Sequence, residues 1–145
     1  MLFDEEVNEE ITKSNVNQLL SRYHNVKRLA GSYTPKITST YSLTPRSETG
    51  LTSDSTGDKV NLRGKAKEQF KEILKAFEAL SLESRTRIYL KYMAEESLYD
   101  YQIYGSQNIS KDTYYRELSK AQLEFAEAYK GGELMEFNYT RKKSD

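Results

Sequence analysis

The chain has 145 residues, which sets one domain, or one small domain with an added segment. It carries 22 basic and 22 acidic side chains, so it is not a polybasic coat. Its lack of cysteine excludes a disulfide scaffold, a thiolate zinc site and a cysteine nucleophile. No apolar run approaches the roughly 18–20 residues of a membrane-spanning helix. Residues 1–10, with five acids and no base, do not read as a secretory signal.

Taken in chain order, residues 12–30 predict a helix. Val16, Leu19, Leu20, Tyr23, Val26 and Ala30 recur at three- and four-residue spacing, Thr12 or Ser14 is placed to cap the start, and Gly31 fits just past the end. Residues 31–57 hold both prolines and are crowded with Ser and Thr. They offer too little apolar surface to offset their ordering entropy and read as a linker, with an extended piece at 36–43. Residues 58–80 give the strongest helix pattern, with Asp58 as cap and a stripe of Ala66, Phe70, Ile73, Leu74, Phe77 and Leu80. Ser81 breaks and recaps the chain into a second helix over 82–95. A short helix over 98–105 ends at Gly105. Ser110 caps a long helix over 111–129, stopped by Gly131 and Gly132. The tail, residues 131–145, is expected to fray or dock weakly. No alternating strand pattern of useful length occurs, so the expected class is all-α, with 1–30 as an accessory helix and 58–130 as the main domain.

The informative stretch is 98–129. A short helix, a tight turn and a long capped helix are the grammar of a helix-turn-helix, whose second helix enters a major groove. Ile103, Ile109, Tyr114 and Leu118 are spaced to pack the two helices together. Lys111, Asp112, Tyr115, Arg116, Ser119 and Lys120 then face outward, as side chains able to read base edges or hold phosphates. The plainer alternative is a helical hairpin with a polar outer face, and Glu117, Glu124 and Glu127 count toward it.

Lys59, Arg63, Lys67, Lys71 and Lys75 recur every four residues along 58–80. They are candidate phosphate contacts, or else a solvated face neutralised by Glu68 and Glu72. An enzyme is not expected. The single histidine, His24, has no orienting acid at helical spacing, and there is no Gly-rich phosphate loop.

Three blocks carry a family resemblance: KITSTYSLTPRS at 36–47 with STGD at 55–58, YDYQIYGSQNISKDTYYRE at 99–117, and LEFAEAYKGGEL at 123–134. On these the chain resembles the ArpU family of phage transcriptional regulators, which includes RinA-type activators of late genes in phages of Gram-positive bacteria. The resemblance implies a helix-turn-helix similar to region 4 of sigma factors and a DNA-binding transcription regulator. It places Ser110, Lys111, Thr113, Tyr114, Tyr115 and Arg116 on the recognition segment. Its departure is at Glu117, Leu118 and Ser119, where family members often carry more lysines. The expected partner is double-stranded DNA, with host RNA polymerase and a second copy of the chain as further candidates. No cofactor, metal, membrane or small-molecule substrate is expected, and the location implied is the bacterial host cytoplasm. The rival from another class is a protein-interaction module that keeps the sigma-like shape but binds RNA polymerase or a host or phage regulator.

Overall fold

The structure, a computed structural model, describes residues 6–31 and 54–138, with side chains of the long central helix from residue 61 onward. The 36–47 block, the side chain of Lys59 and residues 139–145 lie outside the described residues. The described chain is mainly helical, as the apolar periodicity requires. Its elements are strand β1 (Glu6–Val7), helices α1 (Glu9–Leu20), α2 (Tyr23–Ala30), α3 (Asp54–Glu78), α4 (Leu82–Ile88), α5 (Asp100–Ser106) and α6 (Lys111–Ala128), and strand β2 (Phe137–Asn138).

The helix expected over 12–30 is two helices. The first begins earlier, because Asn8, not Thr12 or Ser14, accepts the Ile11 N–H at 3.0 Å, and Glu9 and Glu10 follow in the first turn where the helix dipole favours acids. It stops at residues 21–22, where the Arg22 N–H reaches back only to Leu19. The apolar spacing runs through this break unaltered, so periodicity could not reveal it. Helix α3 opens at Asp54, which places Asp58 inside the helix instead of at its cap, and the linker expected over 31–57 gives way to helix before its end.

Two compact units divide the chain, one from Met1–Arg22 with Glu72–Asp145 and the other from Tyr23–Lys71. The division falls inside α3, between Lys71 and Glu72. In the second unit, the Tyr23 ring meets Phe70 at 5.8 Å. Gly31 takes a φ of +64°, and the Arg63 guanidinium lies where its Cβ would be.

In the first unit α6 is the hub, packing against both α1 and α4. It buries Tyr114, Leu118, Ala121, Gln122, Phe125 and Ala126. Some polar groups here are joined in a chain: Gln122 Nε2 donates to the Tyr92 hydroxyl at 2.8 Å, and that hydroxyl donates to Asn17 Oδ1 at 2.8 Å. Burial pushes the Tyr92 phenol up to about 12, against the opposing Gln122 hydrogen bond. The helix expected over 82–95 is α4, capped by Ser81, which accepts the Ser84 N–H at 3.3 Å. It is followed by a π-helical turn over Tyr89–Met93, closed by Ala94 N–H donating to the Tyr89 carbonyl.

Of the two expectations for the tail, docking holds for the described part, up to Asn138. Strand β2 pairs antiparallel with β1, Glu6 opposite Asn138 and Val7 opposite Phe137. Glu136 N–H donates to Thr12 Oγ1 at 2.9 Å and Asn15 Nδ2 to the Leu134 carbonyl at 3.0 Å, which fastens this segment along α1. Strands of two residues are too short to show alternation in a sequence. No helix among the described residues is long and apolar enough to cross a membrane.

Candidate nucleic-acid interface

Helix α5 does not end at Gly105. It runs through Ser106, and Asn108 takes the left-handed conformation with φ of +59°. Ile109 N–H donates to the Tyr104 carbonyl and Asn108 N–H to the Gly105 carbonyl. These two bonds, with an apolar residue after the left-handed one, make a Schellman stop with asparagine in glycine's usual place. Ile109 and Tyr104 both pack on the cluster of Ile103, Tyr114 and Leu118, so the four residues expected to join the two helices do so. Ser110 caps α6, accepting the Thr113 N–H at 3.1 Å and donating to Thr113 Oγ1 at 3.0 Å.

With Tyr114 and Leu118 turned inward, the helical period leaves Lys111, Asp112, Tyr115, Arg116 and Lys120 exposed and Thr113 and Ser119 half-buried. Their placement separates them into groups. Lys111 and Asp112 stand at the first turn of α6. Tyr115, Arg116, Ser119 and Lys120 line one open groove of about 630 Å³, which continues past Leu123 to Glu124 and Glu127. Thr113 is occupied locally, its Oγ1 also accepting from Arg116 Nη2 at 3.4 Å.

Two residues that the sequence reading missed organise this face. The first is Lys13 of α1, which enters the groove and donates from Nζ to Ser119 Oγ at 2.8 Å. The partners lie 106 positions apart, and no local pattern links them. The second is Asp100, at the start of α5. Its Oδ1 accepts from Lys91 Nζ at 2.9 Å and from the Tyr114 hydroxyl at 2.7 Å, and its Oδ2 from the Tyr115 hydroxyl at 3.1 Å. Burial alone would raise this carboxyl. The hydrogen bonds from Tyr114, Lys91 and Tyr115 and the Lys91 charge outweigh burial and hold it below the ordinary aspartate value. In turn, burial and the Asp100 carboxylate hold the Tyr114 phenol well above the usual tyrosine range and raise that of Tyr115. Tyr115 is 41% exposed, but its hydroxyl is anchored to Asp100, so it offers a partner the ring more readily than the phenol. Behind the face, Arg87 donates from Nε to Glu117 Oε1 at 3.1 Å and lies over the Tyr114 ring. Glu117 is thus committed to an internal ion pair.

On α3, Arg63, Lys67, Lys71 and Lys75 are exposed. A four-residue repeat on a helix of 3.6 residues per turn advances by roughly 40° at each step. The basic series therefore spirals about α3 instead of forming a straight stripe, and Lys75 meets Glu72 at 3.9 Å. Among the described residues no group of three His, Asp or Glu side chains gathers as a metal site would require. No protein-family model, curated protein or solved structure matches the chain.

Proposed function

We propose that the protein is a sequence-specific DNA-binding transcription regulator whose α6 lies in the major groove. The observation that carries this reading is the gathering of Lys13, Arg116 and Lys120 on one open face of α6, just past a short helix and a tight turn. A chain of zero net charge can attract a polyanion only through such a local concentration. The resemblance to phage late-gene regulators points the same way. In this reading Lys111 and Asp112 at the first turn, with Arg116, reach base edges, and the α5 end and turn sit against the backbone.

The test is selection of binding sites from random duplexes, followed by gel shifts on the selected site. Lys111→Ala and Arg116→Ala are each expected to weaken binding by about 1–3 kcal/mol if they touch bases. Unchanged affinity and an unchanged salt slope in both variants would overturn the assignment.

A second reading, protein recognition through the same fold, is favoured by one feature. A mainly apolar groove of about 350 Å³ is lined by Phe77, Leu82, Tyr89 and Leu90 together with Arg85 and Thr86, with Leu82 73% exposed. Under it, Leu82→Asp abolishes binding to purified bacterial RNA polymerase and leaves DNA affinity unchanged. Equal polymerase binding by both proteins would remove it.

A further inference from the structure

We infer that Lys13 and Lys120, flanking Arg116, form a seat for backbone phosphates of duplex DNA, bounded on its far side by Glu127. The inference rests on the DNA-binding reading above and divides its interface into a base-reading end and a phosphate-holding flank.

The three cations come from two helices and share one open groove. Lys13 makes no ion pair among the described residues. Ser119 Oγ takes one of its three ammonium hydrogens and leaves two for an incoming oxygen. Arg116 likewise has no carboxylate partner among the described residues, its one side-chain bond being the long contact to Thr113. Lys120 is only loosely held, 3.8 Å from Glu124 and mostly exposed. Glu124 also lines the groove but divides its carboxylate, its Oε1 accepting from the Ser81 N–H and hydroxyl, each at 3.2 Å, while Oε2 lies near Lys120. One turn beyond, Leu123 and then the exposed Glu127 replace the cations, so the groove changes sign along its length.

A helix in a major groove is flanked by the two phosphate backbones, and a cation supplied from a neighbouring helix meets a backbone, not a base edge. Ser119 then leaves the base-reading set and becomes a positioning residue, fixing the Lys13 ammonium beside Arg116. The sign change limits the seat to the turn that holds Arg116 and Lys120.

Because phosphate contacts are blind to sequence, the probe is a mixed-sequence duplex of about 30 base pairs, titrated with the full-length protein between about 50 and 200 mM salt. Lys13→Ala is expected to lower the salt slope by about 0.9, so that it loses about 3.5-fold less affinity than wild type across that range. Lys13→Arg restores the slope. Glu127→Gln tightens binding, most at low salt where its repulsion is least screened. Wild-type binding with an unaltered slope in Lys13→Ala overturns the phosphate seat and leaves the DNA reading standing. No wild-type binding to this duplex or to any selected site overturns both. If Lys13→Ala fails to fold, judged by circular dichroism, Lys120→Ala, at an exposed position, carries the same expected slope loss. An unchanged slope there refutes the seat.

Discussion

Removing the Asp100 carboxylate should destabilise the joint between α5 and α6 more than any exposed charge change. In Asp100→Ala the Tyr114 hydroxyl, on a residue with no exposed surface, loses its acceptor, and an orphaned buried hydroxyl costs about 1–3 kcal/mol. The Lys91 pair, with each side chain about a quarter exposed, adds at most about 1 kcal/mol. Tyr115 reaches water and adds little. The expected loss is about 1–4 kcal/mol, read as a lowered urea midpoint at constant m-value. Tyr114→Phe keeps the ring and removes only the donor. In that background Asp100→Ala should cost less by at least about 1 kcal/mol. Asp100 titrates below its ordinary value in the folded chain, so the unfolded chain binds its proton first. Its stabilisation is complete above roughly pH 4 and is lost as pH falls through the lower folded value. Asp100→Ala should lack that part of the acid dependence. Additive single mutants, or an acid profile identical to wild type, would refute the network as described.

The other consequences are simpler. Phe125, fully buried and stacked on Tyr129 at 5.7 Å, is the centre of the α6 hub, and Phe125→Ala should cost about 3–5 kcal/mol in a denaturant melt. Gly105→Ala should stabilise by about 0.5–1 kcal/mol, because the position is helical and an added Cβ meets nothing within 4 Å. A destabilised Gly105→Ala would return the helix stop to Gly105. Ser110→Ala should remove about 1 kcal/mol through the lost cap, measured by thermal melting.

How much of this the sequence carried depended on the range of the interaction. Ser81 and Ser110 were legible as caps because capping needs only a hydroxyl and an N–H three residues on. The packing of Ile103, Ile109, Tyr114 and Leu118 was legible because a tight turn makes it nearly local. The end of α5 was not. A glycine stands nearby, but the left-handed position fell to Asn108, where the Ile109 N–H bonds back to the Tyr104 carbonyl and the Ile109 side chain joins the cluster shared by the two helices. The break at residues 21–22 left the apolar spacing intact. The outward set on α6 was legible as a face. Sequence could not show that Tyr115 is tied to Asp100 or Ser119 to Lys13, because both partners come from other helices. The even spacing of the basic residues on α3 does not put them on one face, because each step of four advances about 40° around the helix.

The most direct test of the DNA-binding account is an amide chemical-shift titration of the isotope-labelled protein with a selected duplex. The account predicts that the largest changes fall on residues 111–116, Lys120 and Lys13, with the buried side of α6 little altered. Changes confined to other surfaces, or absent at saturating duplex, would contradict it.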